Sequence, residues 1–157
     1  MNISTLIFNL SKYTILKYVS CFLSYIYVFI LPVGLLFWIF LFNTRKIYAL
    51  SIIAFSALTT FLVSELIKNI VRIQRPITDG LLVSERGFSF PSEHSSVTMA
   101  IGIVVYSIDK KIGIALMALS ILVGLSRVVL GVHYMVDVIA GWSIGILIGF
   151  LFVKFFK

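Results

Sequence analysis

Three short stretches of the 157-residue chain hold most of the side chains able to move protons, attack an electrophile or bind an anion. The first is Lys68, Arg72 and Arg75, four and three residues apart, followed by Pro76. On a helix these cations share one face along roughly 10 Å of rise, and Pro76 is expected to end that helix. Such a row either grips an anionic group or simply snorkels to a headgroup layer. The second is Pro91-Ser92-Glu93-His94. Ser92 suits a helix N-cap, and the amides behind it then point at any anion in front of them, although an ordinary cap beside an exposed histidine reads the same way. The third runs from Ser126-Arg127 to His133 and Asp137. A spacing of four places His133 and Asp137 on one helix face, where the carboxylate can hold one ring nitrogen protonated and leave the other free as a nucleophile. A structural His/Asp pair is the plainer alternative, but ionisable groups at the edge of a membrane bundle are costly and are functional candidates by default.

The elements that carry these stretches are apolar. Hydrophobic residues make up 61% of the chain and the mean hydropathy is +1.12, values that a water-soluble domain does not sustain. Runs such as Val28 to Phe42 are apolar all round, without the alternation of a membrane β-strand, so a helical bundle is expected and a closed barrel is not. Residues 1 to 19, with Ile3, Leu6, Ile7 and Leu10 at helical spacing, read as an interfacial helix or a short first span. Crossings are then expected from Cys21 to Phe42, Ile47 to Ile70, Ser92 to Ile108, Ile112 to Ser126 and His133 to Val153, giving an all-α bundle of five to six transmembrane helices in one domain over 1–157. A loop from Ile77 to Pro91 separates the second and third of these. Lys12 and Lys17 inside the first apolar stretch argue against a cleaved signal peptide.

Alternating crossings put Arg45, Lys46, Lys110, Lys111, Lys154 and Lys157 at one end, which the positive-inside rule makes cytoplasmic. Lys68, Arg72, Arg75, Arg86, His94, Arg127, His133 and Asp137 gather at the other, extracytoplasmic end. The formal charge of +7 is spread over short loops and helix ends with no soluble basic domain, which favours anionic lipid over nucleic acid as the partner. Cys21 is the single cysteine, so an intramolecular disulfide and a multi-cysteine metal site are both excluded. Two histidines with Asp137 or Glu93 suit zinc by ligand type, yet the converging cations repel a divalent ion, and no metal or other cofactor is expected.

Together the three stretches resemble the type 2 phosphatidic acid phosphatase superfamily, whose signature is Lys-x6-Arg-Pro, then Pro-Ser-x-His, then Ser-Arg-x5-His-x3-Asp. Here it stands as Lys68 to Arg75-Pro76, Pro91 to His94, and Ser126-Arg127 to His133 to Asp137, in order and at matching spacing across residues 68–137. Glu93 is the one departure, at a position where the family usually has glycine. The resemblance implies a membrane enzyme that removes phosphate from a lipid through a phosphohistidine. In it His133 attacks, Asp137 orients it, His94 serves as acid and then base, and Lys68, Arg75, Ser92, Glu93 and Arg127 bind phosphate. Its small members similar to this chain act on undecaprenyl pyrophosphate, phosphatidylglycerol phosphate or the 1-phosphate of lipid A. A lipid-to-lipid phosphotransferase needs the same residues. A transporter or structural subunit binding anionic headgroups would need the cations but not His94, His133 and Asp137.

Overall fold

The computed structural model describes residues 14–25, 46–76 and 87–156, with positions 32–33, 36 and 40–41. Among these, α1 (Thr14–Tyr25), α2 (Lys46–Val71), α3 (Glu93–Ile108), α4 (Lys110–Val129) and α5 (Met135–Phe156) follow one another, and the described chain is an all-α bundle. Among the described residues, three stretches are long and apolar enough to cross a membrane, Ile47–Val71, Lys110–Val129 and Met135–Phe155, while Ile15–Tyr25 is a shorter apolar helix. The surface agrees: Phe55, Leu58, Leu66 and Ile70 on α2, Ile114 and Leu122 on α4, and Leu147 and Phe150 on α5 all stand exposed, as side chains bathed in lipid would. The protein is an integral membrane helical bundle.

Inside, the bundle is rich in hydroxyls. Ser56, Thr60, Ser64, Ser95, Ser96, Thr98 and Ser120 are buried. In a bilayer, apolar side chains gain little by leaving lipid for protein, so close packing and interhelical hydrogen bonds must hold helices together. Ser64 and Ser96 share a hydrogen bond of 2.8 Å between α2 and α3, and Thr98 and Ser120 one of 2.7 Å between α3 and α4.

α3 is the central helix, packed against α2, α4 and α5. It begins and ends where the third crossing was expected, but its 16 residues rise only about 24 Å, short of the roughly 20 residues a lipid-exposed span needs. A helix buried among its neighbours from Ser95 to Val105 is released from that length, because protein rather than hydrocarbon surrounds most of it. One residue, Asp109, turns the chain from α3 into α4: its amide donates to the Val105 carbonyl, and its carboxylate accepts from the amides of Lys111 and Ile112 at 2.9 and 3.0 Å. Ile53, Val97, Ile101, Val104 and Val105, with Ile112 and Phe152, cluster at the end of the bundle where α2 starts, α3 turns into α4 and α5 finishes. Lys110, Lys111 and Lys154 therefore sit at one end. The chemically capable residues sit at the other.

The expected break between an N-terminal helix ending at residue 19 and a crossing starting at Cys21 is absent: residues 14–25 form one helix packed on α4. Ser20 and Ser24, four apart, face inward on it rather than interrupting it. Residues 1–13, most of the expected Cys21–Phe42 crossing and most of the Ile77–Pro91 loop lie outside the described residues.

The glycines of the last helix settle what their spacing serves. Gly141, Gly145 and Gly149 all face α3, whereas Ser143 is exposed. A Cβ on Gly141 would stand 2.5 Å from the Ser92 carbonyl oxygen, and one on Gly145 would collide with the carbonyl of Ser96. The small residues thus permit backbone-to-backbone approach of α5 and α3 within one chain. Because the obstacle is backbone rather than a movable side chain, Gly145→Ala is expected to destabilise the protein by about 1–3 kcal/mol, the range for an overpacked core. A lowered thermal midpoint in detergent, against an unchanged one for Ser143→Ala, would show it.

Candidate active site

α2 does not run to Pro76. It ends at Val71, and Arg72 takes a left-handed conformation (φ 55°) that closes it, its amide bonded to the Lys68 carbonyl at 3.0 Å and its Nε to the Asn69 carbonyl at 2.8 Å. Lys68, Arg72 and Arg75 consequently do not share a helix face. Arg72 is exposed and serves as a cap, while Arg75 lies in the segment beyond, where the amide of Ser89 bonds the Ile73 carbonyl at 2.8 Å and Arg75 Nε bonds the Gly87 carbonyl at 3.2 Å. These ties aim the Arg75 guanidinium inward. Its Nη1 reaches the carbonyl of Val132 at 3.0 Å and His133 Nε2 at 3.3 Å.

The third stretch is built on a helix C-terminus. Arg127 lies three residues before the C-cap Leu130 of α4, and Gly131 follows in the left-handed region at φ 74°. The Gly131 amide bonds the Val128 carbonyl at 3.0 Å and the Val132 amide bonds that of Arg127 at 3.2 Å, the two bonds of a Schellman turn. The His133 amide adds a third, to the Arg127 carbonyl at 3.3 Å. This turn explains the five-residue spacer: it folds His133 back beside the arginine that ends α4. His133 itself precedes α5, which starts at Met135, so it meets Asp137 across a helix N-terminus and not along a helix face. Asp137 Oδ2 accepts from the Tyr134 amide at 2.8 Å, the reciprocal half of a capping box, and stands 3.4 Å from His133 Nδ1. That second separation is a close approach rather than a formed hydrogen bond, since Nδ1 has no partner within hydrogen-bonding geometry.

The ring is nevertheless oriented. A guanidinium only donates, so Nε2 facing Arg75 must be the accepting nitrogen, and the neutral ring carries its proton on Nδ1 toward Asp137. Burial lowers the His133 pKa from 6.5 to about 4, with Asp137 opposing that shift and Arg127 and Arg75 adding to it. At neutral pH the site therefore holds a neutral imidazole whose unprotonated nitrogen, Nε2, accepts from a cation.

Ser92 occupies the N-cap position of α3, but its hydroxyl makes no cap and instead accepts from the Ser95 hydroxyl at 3.0 Å. The first helical bond is from the Ser96 amide to the Ser92 carbonyl, so the amides of Glu93 and Ser95 precede it at the positive end of the helix dipole. The Ser92 amide bonds the Asp137 carbonyl at 2.9 Å, clipping the second stretch to the third. His94 feels the charges of Arg127, His133, Lys68 and Arg75, which places it among them. Lys68 is held by Glu65 at 2.7 Å and Glu93 at 3.1 Å. The Glu93 side chain thus faces a cation, and what it can offer a phosphate is its backbone amide.

The structure brings Lys68, Arg75, Ser92, Glu93, His94, Arg127, His133 and Asp137 to one end of the bundle, with Arg127, Ser92 and Asp137 fully buried. Gly131, the Val132 carbonyl and Ser24, whose hydroxyl accepts from Arg127 Nη1 at 2.8 Å, belong to the site without having been legible as such. Gly131 alone had a signal, a glycine just past the end of an apolar run. Among the described residues no group of three or more His, Cys, Asp or Glu comes together to hold a metal. Cation density, an accepting imidazole nitrogen and the N-terminal amides of a helix suit a phosphate.

The depressed His133 pKa carries a sign for stability. Below pH 6.5 the unfolded chain takes up a proton that the folded ring refuses until about pH 4, so stability present above 6.5 is lost as pH falls through that window. The thermal midpoint in detergent is expected to drop between pH 7 and 5, and to drop less in His133→Gln. An equal drop in both would assign the loss to other groups.

Among characterised proteins, the chain is 43% identical over 67 residues to undecaprenyl-diphosphatase BcrC of Bacillus subtilis, a match covering 43% of this chain and 35% of that protein. It thus spans about a third of that relative's length. The crystal structure of Aquifex aeolicus LpxE has the same fold, with a TM-score of 0.82 at 24% identity, covering 99% of this chain and 100% of that one. The PAP2-type phosphatidylglycerolphosphate phosphatase of Bacillus subtilis superposes with a TM-score of 0.67 at 27% identity, over 89% of this chain and 76% of that one. The PAP2 superfamily profile matches residues 46–157, which takes in α2 to α5 and all three stretches, and the chain belongs to that superfamily.

Proposed function

We propose that the protein is a lipid phosphate phosphatase that hydrolyses a terminal phosphate monoester or diphosphate of a membrane lipid through a phosphohistidine, without a metal. The observation that carries this reading is the line Asp137, His133, Arg75: a neutral buried imidazole, proton toward a carboxylate, accepting nitrogen toward a guanidinium. A phosphate drawn to Arg75 arrives in front of that nitrogen.

In the proposed reaction His94, which burial and the surrounding cations keep neutral before substrate binds, takes up a proton as the phosphate's negative charge arrives. The Nε2 lone pair of His133 then bonds to phosphorus as the bond to the leaving oxygen breaks, and His94 delivers that proton to the oxygen. Asp137 stabilises the ring as it becomes positive. Arg75, Arg127 and Lys68, with the amides of residues 93–95, hold the equatorial oxygens where charge spreads. His94, now neutral, takes a proton from water, the water oxygen bonds to phosphorus, the P–N bond breaks, and inorganic phosphate leaves. The buried cations supply the charge stabilisation that a divalent ion provides elsewhere.

The names of the relatives support a lipid substrate, and the family resemblance gives a panel of undecaprenyl pyrophosphate, phosphatidylglycerol phosphate and lipid A 1-phosphate. The end bearing Lys110, Lys111 and Lys154 is proposed to be cytoplasmic, with the site facing the extracytoplasmic side of the inner membrane. Phosphate release from that panel in detergent with EDTA is expected to persist in the unmodified protein and vanish in His133→Ala. Release abolished by EDTA would overturn the metal-free mechanism, and phosphate passing to an added lipid alcohol rather than to water would make the protein a phosphotransferase.

Glu93 yields a separate expectation. Its carboxylate competes with substrate for Lys68, which keeps Glu65 as a partner on its own helix. Glu93→Gln is therefore expected to lower KM severalfold, because it removes a like charge from the phosphate's side. A raised KM would mean that Glu93 holds Lys68 in place instead.

A further inference from the structure

We propose that Ser24 is a positioning residue for Arg127, and that α1, outside the segment matched by the superfamily profile, is thereby a working part of the phosphate clamp. The inference rests on the reading of Arg127 given above. The Ser24 hydroxyl accepts from Arg127 Nη1 at 2.8 Å and donates to the Ser20 carbonyl at 3.1 Å. A hydroxyl has one proton, and here the backbone of α1 takes it, so the oxygen presents its lone pairs to the guanidinium in a fixed direction. The relay is dry: Ser20, Ser24 and Arg127 are 2%, 5% and 0% exposed.

Three further observations make this contact more than packing. Arg127 lies at the end of α4, where its backbone carbonyl also holds the amides of Val132 and His133, so the residue is fixed from both its main chain and its side chain. Its charge acts on both His94 and His133, so a shift of the guanidinium changes the field at the nucleophile and at the proton donor together. Finally, the contact bridges 103 positions of sequence, from a helix that carries no motif residue, and α1 packs on α4 along the same side. The profile begins only at residue 46. Superfamily members thus need not share this hydroxyl, and the N-terminal helix becomes a place where a chain sets its own clamp geometry.

The test uses the full chain in detergent micelles with a short-chain phosphatidic acid as substrate and orthovanadate as inhibitor, since vanadate adopts the five-coordinate geometry of a phosphoryl group in flight. Ser24→Ala, Ser24→Thr and Ser24→Val are compared with His133→Ala and Arg127→Ala. A hydrogen bond to a charged group is worth roughly one to two decades in rate, so Ser24→Ala is expected to lower kcat/KM about tenfold to a hundredfold and to weaken vanadate inhibition in parallel. Ser24→Thr should recover both. Ser24→Val, equal to threonine in size and branching, should not, even where its thermal midpoint equals that of the threonine variant. Should Ser24→Ala fail to fold, the threonine and valine pair decides alone. Full activity and unchanged vanadate inhibition in Ser24→Ala, or equal behaviour of Thr and Val, would overturn the inference while His133→Ala and Arg127→Ala remain inactive. Activity in those two variants would instead overturn the reading of the site itself.

Discussion

Holding cationic side chains out of water at the end of an apolar bundle is the constraint on which the rest of this structure depends. A buried guanidinium must have its donors met by fixed acceptors, because neither lipid nor bulk water is there to meet them. Arg75 takes the carbonyls of Gly87 and Val132, Arg127 takes the Ser24 hydroxyl, and Lys68 takes two carboxylates. Each acceptor comes from a different element. The cations therefore weld the loop after α2, the turn after α4, the start of α3 and the helix α1 into one end-plate, and the bundle beneath has to bring those elements within reach.

The packing of the bundle is subordinate to that task. Glycines let α5 lie against α3 so closely that the Ser92 amide bonds the Asp137 carbonyl, and serine and threonine pairs fasten α3 to α2 and α4. Hydroxyls share the interior with aliphatic side chains, and large aliphatic side chains cover the outside, as the solvent requires. The same dryness acts on the chemistry. Low dielectric strengthens the pull of each cation on an arriving anion and keeps the His133 ring neutral, so on the proposed reading affinity and nucleophilicity have one physical source.

Much of this was legible from residue types and spacing. The helices α2 to α5 lie within a few residues of the stretches that hydropathy marked, because a bilayer leaves a long apolar run little choice but a helix. The identity of the clustered residues was legible too. Their geometry was not, where capping chemistry overrode periodicity. Spacings of three and four suggested that Lys68, Arg72 and Arg75, and separately His133 and Asp137, share helix faces, but Arg72 ends its helix in a left-handed cap and His133 precedes the helix of its partner. Ser24 was invisible for a different reason: a contact between residues 103 apart leaves no local pattern. Glu93 looked like a phosphate ligand from its position, and only its 3.1 Å contact with Lys68 showed where the carboxylate points.

The clip between Ser92 and Asp137 reaches beyond rigidity. His94 and the helix amides ride on α3, Asp137 rides on α5 and His133 stands two residues before it, while the glycines fuse α3 and α5 into a single block. On the proposed reading, a lipid sliding in sideways from the bilayer meets that block along its seams with α2 and α4. Selection for a new headgroup can therefore work on those seams while the reacting atoms keep their register, and a compact catalyst can change its diet without relearning its chemistry.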